Sequence, residues 1–469
     1  MDSLGLFLAL ILLVLPGLQL AALVVPPGVD GRPALVAGYG LLAGLLGVPL
    51  LIRLVDFLGL PVSFVFMAGA VSLTVIVLLA IRFSLGTRPV AQPLGTPESS
   101  TMDSWDKLLV VLLLGLIVLR LITLGTELIF RPLFPWDATM HWATKARVWY
   151  EHKELIHFVE NTQWLQLAAG DVYTDYHPDY PITIPLLQLW INSALGQWDE
   201  SLMNIPWLIC YVGLGFSFYG QSRQAGLGVA LSLTFNYLVL SLPLLNTHVA
   251  LAGYADLFLA TAYCLAVMAF YNWSVRRQTW QAFLALGLAL SCTLVKNEGL
   301  IWLLTFIPAL AVVLLSRRLA TRLLLTVLAA SVLALLVFPA DVEVGGHSLE
   351  QLDLHYRPGA LSPVFESLFI HGSWHLFIYL LLGLVVIVPW LSRLELPRYA
   401  GVATVLACAV VLFLSLFIFT RFAGGDGAPA AVGRISLQLV PSFMFVCALF
   451  YHELTSKSAI EGEVEGTYK

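Results

Sequence analysis

The chain has 469 residues, 59% of them hydrophobic and only 11% charged, with a net charge of −5. So high an apolar share over this length excludes an ordinary soluble domain, which would present large greasy patches to water. The weak, scattered negative charge excludes a nucleic-acid surface, so no nucleic-acid partner is expected.

In chain order, apolar runs long enough to cross ~30 Å of hydrocarbon as helices fall near 4–25, 34–52, 60–82, 107–125, 203–220, 226–244, 254–273, 281–295, 299–315, 322–340, 373–392, 400–419 and 435–452. They predict an all-α polytopic membrane protein with about thirteen transmembrane helices, since the period-two alternation of a membrane barrel is absent. The first run lacks the basic leader and small-residue cleavage site of a secretory signal and reads as a span. The five cysteines, Cys210, Cys264, Cys292, Cys408 and Cys447, all sit inside apolar runs and read as small core residues.

Connections alternate in character. Basic turns such as "NWSVRRQ", "SRRLATR" and "LSRLELPR" face the cytoplasm by the positive-inside rule. Glu127 to Asn204, the turn at Asp256, Lys296 to Glu298, Asp341 to Gly372 and Arg421 to Arg434 then share the opposite face. The Pro-, Ser- and Thr-rich stretch from Phe83 to Asp106 reads as a linker. The expected organisation is three leading helices over 1–83, a cytoplasmic linker over 84–106, and a transmembrane core over 107–452 with outer loops 127–204 and 341–372. A cytoplasmic tail occupies 453–469. No internal repeat is visible.

The first outer loop opens with "FPWDATMHWATKARVWYEHKELIHF", Phe134 to Phe158. Asp137, His141 and Lys145 are spaced i, i+4, i+8, so a helix lines them along one face, with Trp142 and Trp149 on the other. One reading is an amphipathic helix lying at the membrane interface with its indoles at headgroup depth. A second segment, "DYHPDYPITIPLLQLWINSALGQW", Asp175 to Trp198, is half apolar, carries Gln188, Asn192 and Gln197, and is expected to lie in the interface as well.

From Lys107 onward the chain resembles the GT-C class of integral-membrane glycosyltransferases, in the branch of protein O-mannosyltransferases, aminoarabinose transferases and rhizobial lipopolysaccharide glycosyltransferases. The motifs that carry the resemblance are "PWDATMHW" with Asp137, "YHPDYPITIPLLQLW" from Tyr176 to Trp190, "GYADLFLA" with Asp256, "VKNEGL" with Lys296, and "GRISLQLVP" with Arg434. Each is weak alone; their order and common sidedness make the case. The chain departs from the family where a Lys commonly follows the turn's aromatic residue, and His177 stands there. The resemblance implies a GT-C-like core, a polyprenyl-phosphate-linked sugar as donor, a glycan, lipid or protein acceptor, and a bacterial inner membrane with the active face periplasmic.

It also implies roles. Asp137 is the expected base, which takes the acceptor's proton and balances positive charge on the sugar ring, with Asp256 orienting the acceptor. His177, Lys296 and Arg434 are expected to hold the donor phosphate, while His141, Lys145, Tyr176, Asp179 and Glu298 line the sugar and acceptor pocket. Structural alternatives stand beside these: Lys296 paired with Glu298 at a helix end, Arg434 snorkelling, and Asp256 as a helix cap. No cofactor is expected, although Asp137 and His141 could also ligate a divalent cation with a third group such as Asp179 or Asp256. The loop from Asp341 to Trp374 reads as a lid or acceptor surface. A transporter is the rival outside enzymes, although charges at helix ends and the lack of a repeat speak against it. An O-antigen-type ligase or polymerase is the nearer rival, with its large outer loop placed late in the chain.

Overall fold

A computed structural model describes residues 3–86, 102–167, 172–337, 343–344, 347–348, 354–392, 396–420 and 428–467. The protein is predominantly helical. Among the described residues, seven helices are long and apolar enough to cross a membrane, or nine if each of two bent pairs counts as one span. Thirteen spans were expected; the run at 322–340 extends beyond the described residues, and others are short, broken or bent. The run at 281–295 forms a helix of 17 residues, Thr279–Val295, and at 1.5 Å per residue such a helix falls short of ~30 Å. The run at 299–315 breaks at Thr305 into Glu298–Leu304 and Phe306–Leu314. The run at 226–244 bends by 61° ahead of Pro243, where the proline ring disfavours helical geometry at the preceding residue. Residues 87–101 of the expected linker, 338–342, 345–346 and 349–353 of the later loop, and 421–427 lie outside the described residues.

The chain divides into two compact units. The first contains Met1–Ser241, Leu245–Thr261 and Leu294–Asn297. It begins with α1 (Ser3–Val24), α2 (Arg32–Phe57), α3 (Phe64–Ser84) and α4 (Ser104–Phe130). The first outer loop follows, with α5 (Thr144–His152), a single turn α6 (Asn161–Trp164) and α7 (Thr183–Leu195). Helices α8 (Ile205–Gln224), α9 (Val229–Leu240) and α10 (Pro243–Ala250) come next.

Small residues let the first helices pack backbone to backbone. A Cβ on Gly17 would stand 1.9 Å from the Gly40 carbonyl oxygen, and one on Gly44 the same distance from that of Leu13, so α1 and α2 touch where no side chain fits. Gly38 meets Gly213 and Ser217 in the same way and seats α2 on α8. Polar ties finish this packing: Gln221 donates to the Tyr39 hydroxyl at 2.6 Å, and Arg223 pairs with Asp30 at 2.6 Å.

Helix α7 corrects the expectation of an interfacial helix. All of its residues except Ser193 are buried, and it packs against α1, α2, α3 and α5. Apolar on nearly every side, it has no face to give to water, and several of its polar atoms find internal partners, although Gln188 Oε1 and Ser193 Oγ are buried without one among the described residues. Gln188 donates to Asn204, Asn192 accepts from the Asp199 backbone, and the Trp190 indole donates to the Ala9 carbonyl at 3.2 Å. Trp142 and Trp149 are likewise inside the protein, at 1% and 3% exposure, rather than presented to lipid headgroups. The leading helices thus share one compact unit with the first outer loop instead of standing apart from it.

The second unit contains Leu242–Leu244, Ala262–Thr293 and Glu298–Lys469. Its interior is aromatic and sparsely polar. The Trp302 indole donates to Gln438 at 2.6 Å, Tyr263 and Thr305 share a hydroxyl contact at 3.1 Å, and Gly299 lies against the Cys292 carbonyl.

Candidate functional site

The first outer loop builds its site around a residue that the sequence reading passed over, Asp175. Two short strands, β1 (Phe158–Val159) and β2 (Tyr173–Thr174), pair in parallel, and the ladder ends with the Asp175 amide donating to the Val159 carbonyl at 3.0 Å. That pairing carries the aspartate beneath α5. Upstream, Ala138–Ala143 forms a widened π-turn that runs directly into α5, a distortion that recurs at functional sites. His141 on the π-turn and Lys145 on α5 both reach Asp175, at 2.6 Å from Nδ1 to Oδ1 and 2.7 Å from Nζ to Oδ2. The three side chains are between 2% and 6% exposed.

Such a buried carboxylate requires paired charge and hydrogen bonds to remain ionised. Burial by itself raises the Asp175 pKa; hydrogen bonds from His141 and Lys145, the Lys145 charge and the His177 amide reverse that and hold it at about 2. Lys145 also donates to the His177 carbonyl at 2.7 Å, so one ammonium fixes both ends of the 175–177 turn. This makes Lys145 a buried strut of the site rather than a residue lining an open pocket.

His177 stacks on Tyr180 at 4.6 Å, and Tyr180 stacks on Trp142 at 5.2 Å. Burial and the neighbouring His141 lower the His177 pKa, against the opposing pull of Asp179 and Asp175. The cationic form expected to help hold a phosphate is therefore disfavoured at His177. Tyr176 points outward, with 70% exposure. Asp179 is exposed and accepts from Asn297.

Two further segments arrive at the same loop. Gly253, with φ of 123°, adopts a backbone geometry suited to glycine, and a Cβ there would lie 2.4 Å from that of Ala138, the residue after Asp137. Three residues on, Asp256 opens the next helix (Asp256–Arg276) and pairs with Lys296 at 3.0 Å, at 0% and 5% side-chain exposure. The sequence offered Glu298 as one structural partner for Lys296; the structure pairs Lys296 with Asp256, from forty positions upstream. Asp137 is half-buried at the entry to the π-turn. A small cavity of about 10 Å³, room for roughly one water, lies between Leu128–Phe134 and Ala250–Ala252. Asp137, His141, Lys145, Tyr176, His177, Asp179, Asp256 and Lys296 thus share the first unit, whereas Glu298 and the half-buried Arg434 belong to the second.

No family model, curated protein or solved structure matches this chain. The GT-C likeness accordingly rests on the residues quoted above. Among the described residues, no three His, Cys, Asp or Glu side chains are grouped as metal ligands, and His141 Nδ1 is committed to Asp175.

Of the site residues, Asp175 was hardest to foresee. It stands in "DYHPDY" with no helical period to align it with His141, and only the β1–β2 pairing brings them together. The adjacent Pro-bounded turn was the one available signal.

Proposed function

We propose that this chain is a membrane glycosyltransferase that moves a sugar from a polyprenyl-phosphate donor to a glycan, lipid or protein acceptor, working at the outer face of a bacterial inner membrane. One observation carries the reading. Segments expected on the outer face meet within one compact unit although they lie up to 118 positions apart, through Asn297 and Asp179, Lys296 and Asp256, and Gly253 against Ala138. A reaction at a lipid phosphate needs such an arrangement of acid and cation at a helix-end surface.

In this reading Asp137 is the carboxylate nearest the sugar and the expected base, and it balances the positive charge that develops on the ring as the bond to phosphate lengthens. Lys296 supplies positive charge for the departing phosphate and is itself held in place by Asp256. Arg434, on Ala428–Leu437, remains a phosphate-binding candidate from sequence resemblance.

The test begins with cells that contain or lack the protein, comparing their lipid-linked sugars and surface glycans. Accumulation of one polyprenyl-phosphate sugar in the deficient cells is the expected result. With that donor, Asp137→Asn is expected to lower kcat/KM by at least about 100-fold while the protein purifies and melts as wild type. Unaltered lipid-linked pools, or full turnover by the variant, would remove the assignment.

A further inference from the structure

The Asp175–His141 pair has the construction of a proton-accepting dyad. An ionised carboxylate only accepts hydrogen bonds, so the hydrogen of the 2.6 Å contact belongs to His141 Nδ1. A neutral ring with its hydrogen on Nδ1 carries its lone pair on Nε2. Nε2 has no hydrogen-bond partner among the described residues. Lys145 holds Oδ2 and the His177 amide donates to Oδ1, the oxygen that also accepts from His141, so the carboxylate is kept facing the imidazole. The ring is enclosed by Trp136 at 5.9 Å, His177 at 5.0 Å and Tyr180 at 6.5 Å, which restrict water around it. The charged or titratable groups that face it are Asp175, Lys145, His177 and Tyr180, with Asp137 one turn upstream.

We propose that His141 Nε2, oriented by Asp175, takes the proton from the acceptor, and that Asp137 keeps only the task of balancing charge on the sugar; this rests on the glycosyl-transfer reading. As the acceptor oxygen bonds to the anomeric carbon, its proton passes to Nε2. The bond from that carbon to the phosphate oxygen breaks, and its electron pair leaves with the lipid phosphate. The imidazolium then returns its proton to water. Asp175 is a positioning residue in this scheme, since it acts through the ring.

Two measurements on the full-length protein in detergent test it. The first is the pH dependence of transfer. His141→Gln is expected to lose at least about 100-fold in turnover, and His141→Ala to recover part of it with added imidazole, which a purely structural role would not allow. Residual turnover of Asp137→Asn should keep the acid limb of the wild-type profile. If His141→Gln keeps wild-type turnover, or the acid limb disappears with Asp137 and survives without His141, the dyad assignment is overturned while the transferase reading stands.

The second measurement needs no sugar. Carbethoxylation with diethyl pyrocarbonate, followed peptide by peptide, reads the free imidazole nitrogen. His141 is expected to label, and its labelling rate at a fixed pH to change in Asp175→Asn combined with Lys145→Met, which frees Nδ1 from the carboxylate without stranding the ammonium. A His141 that does not label, or a labelling rate that the double variant leaves unchanged, overturns the proposal. If labelling behaves as expected but the wild type transfers no sugar, the transferase reading fails and takes this assignment with it.

Discussion

At the scale of single residues, the chemistry is concentrated in two buried ion pairs, and both carry consequences for stability. Asp175 has a folded pKa of about 2 against 3.8 for the free side chain. Because the folded value is depressed, the stabilisation is complete above about pH 4 and is lost as pH falls through 2. It amounts to something on the order of 2 kcal/mol. Unfolding in detergent between pH 5 and pH 2 should show a progressive loss of that size in the wild type and a smaller one in the Asp175→Asn, Lys145→Met variant. The second pair, Asp256 and Lys296, joins the start of one helix to a turn forty positions later. Removing one partner takes away the opposite charge that faces the other at 3.0 Å in the interior, which lowers stability. Lys296→Met is therefore expected to lower the melting temperature sharply, and Lys296→Met with Asp256→Asn to recover much of the loss. A single variant that melts like wild type would show the pair to be dispensable.

At the scale of elements, what could be read from the sequence depended on whether the deciding contact was local. The spacing of Asp137, His141 and Lys145 correctly pointed to a helical segment, because that spacing is a property of the segment itself. The π-turn did not show, since one extra residue per turn leaves no mark in a pattern of three polar residues. The membrane helices α1 to α4 were legible from apolar length alone. Helix α7 was misjudged as interfacial because Gln188 and Asn192 look polar in sequence; their partners, Asn204 and the Asp199 amide, come from the next turn of chain. The contact of α1 with α2 was hidden for the same reason, since a glycine shows only that something approaches, not what does. Gly44→Leu tests this contact. It forces α1 from α2 by several ångströms, and the expected outcome is a protein that inserts but melts well below wild type in detergent.

At the scale of the whole molecule, thirteen apolar runs stand against seven helices, or nine with the two bent pairs, that are long and apolar enough to cross a membrane among the described residues; the remaining runs form short or broken helices or extend beyond those residues. The sidedness read from basic turns concerned charge near helix ends, a coarser property. It grouped the segments at 137, 179, 256 and 296, whose contacts then appear within one unit. The leading helices had no explanation in sequence. Packed on α7 and α8, they are part of the scaffold that holds the first loop. Deleting residues 1–86 is expected to abolish folded protein rather than yield a smaller active core, as judged by size-exclusion profile and protease resistance. A monodisperse, protease-resistant product would show that residues 87–469 fold by themselves.

The turn that follows α2 is tied to the end of α5: the Val62 amide donates to the Lys153 carbonyl at 2.7 Å, and the Leu155 amide to Asp56 at 3.1 Å. The two ties join positions about a hundred residues apart, so the first hairpin is synthesised before the loop that closes on it and can serve as its template. A ribosome arrested soon after residue 200 would hold a nascent chain whose Val62 amide is already slow to exchange with deuterium.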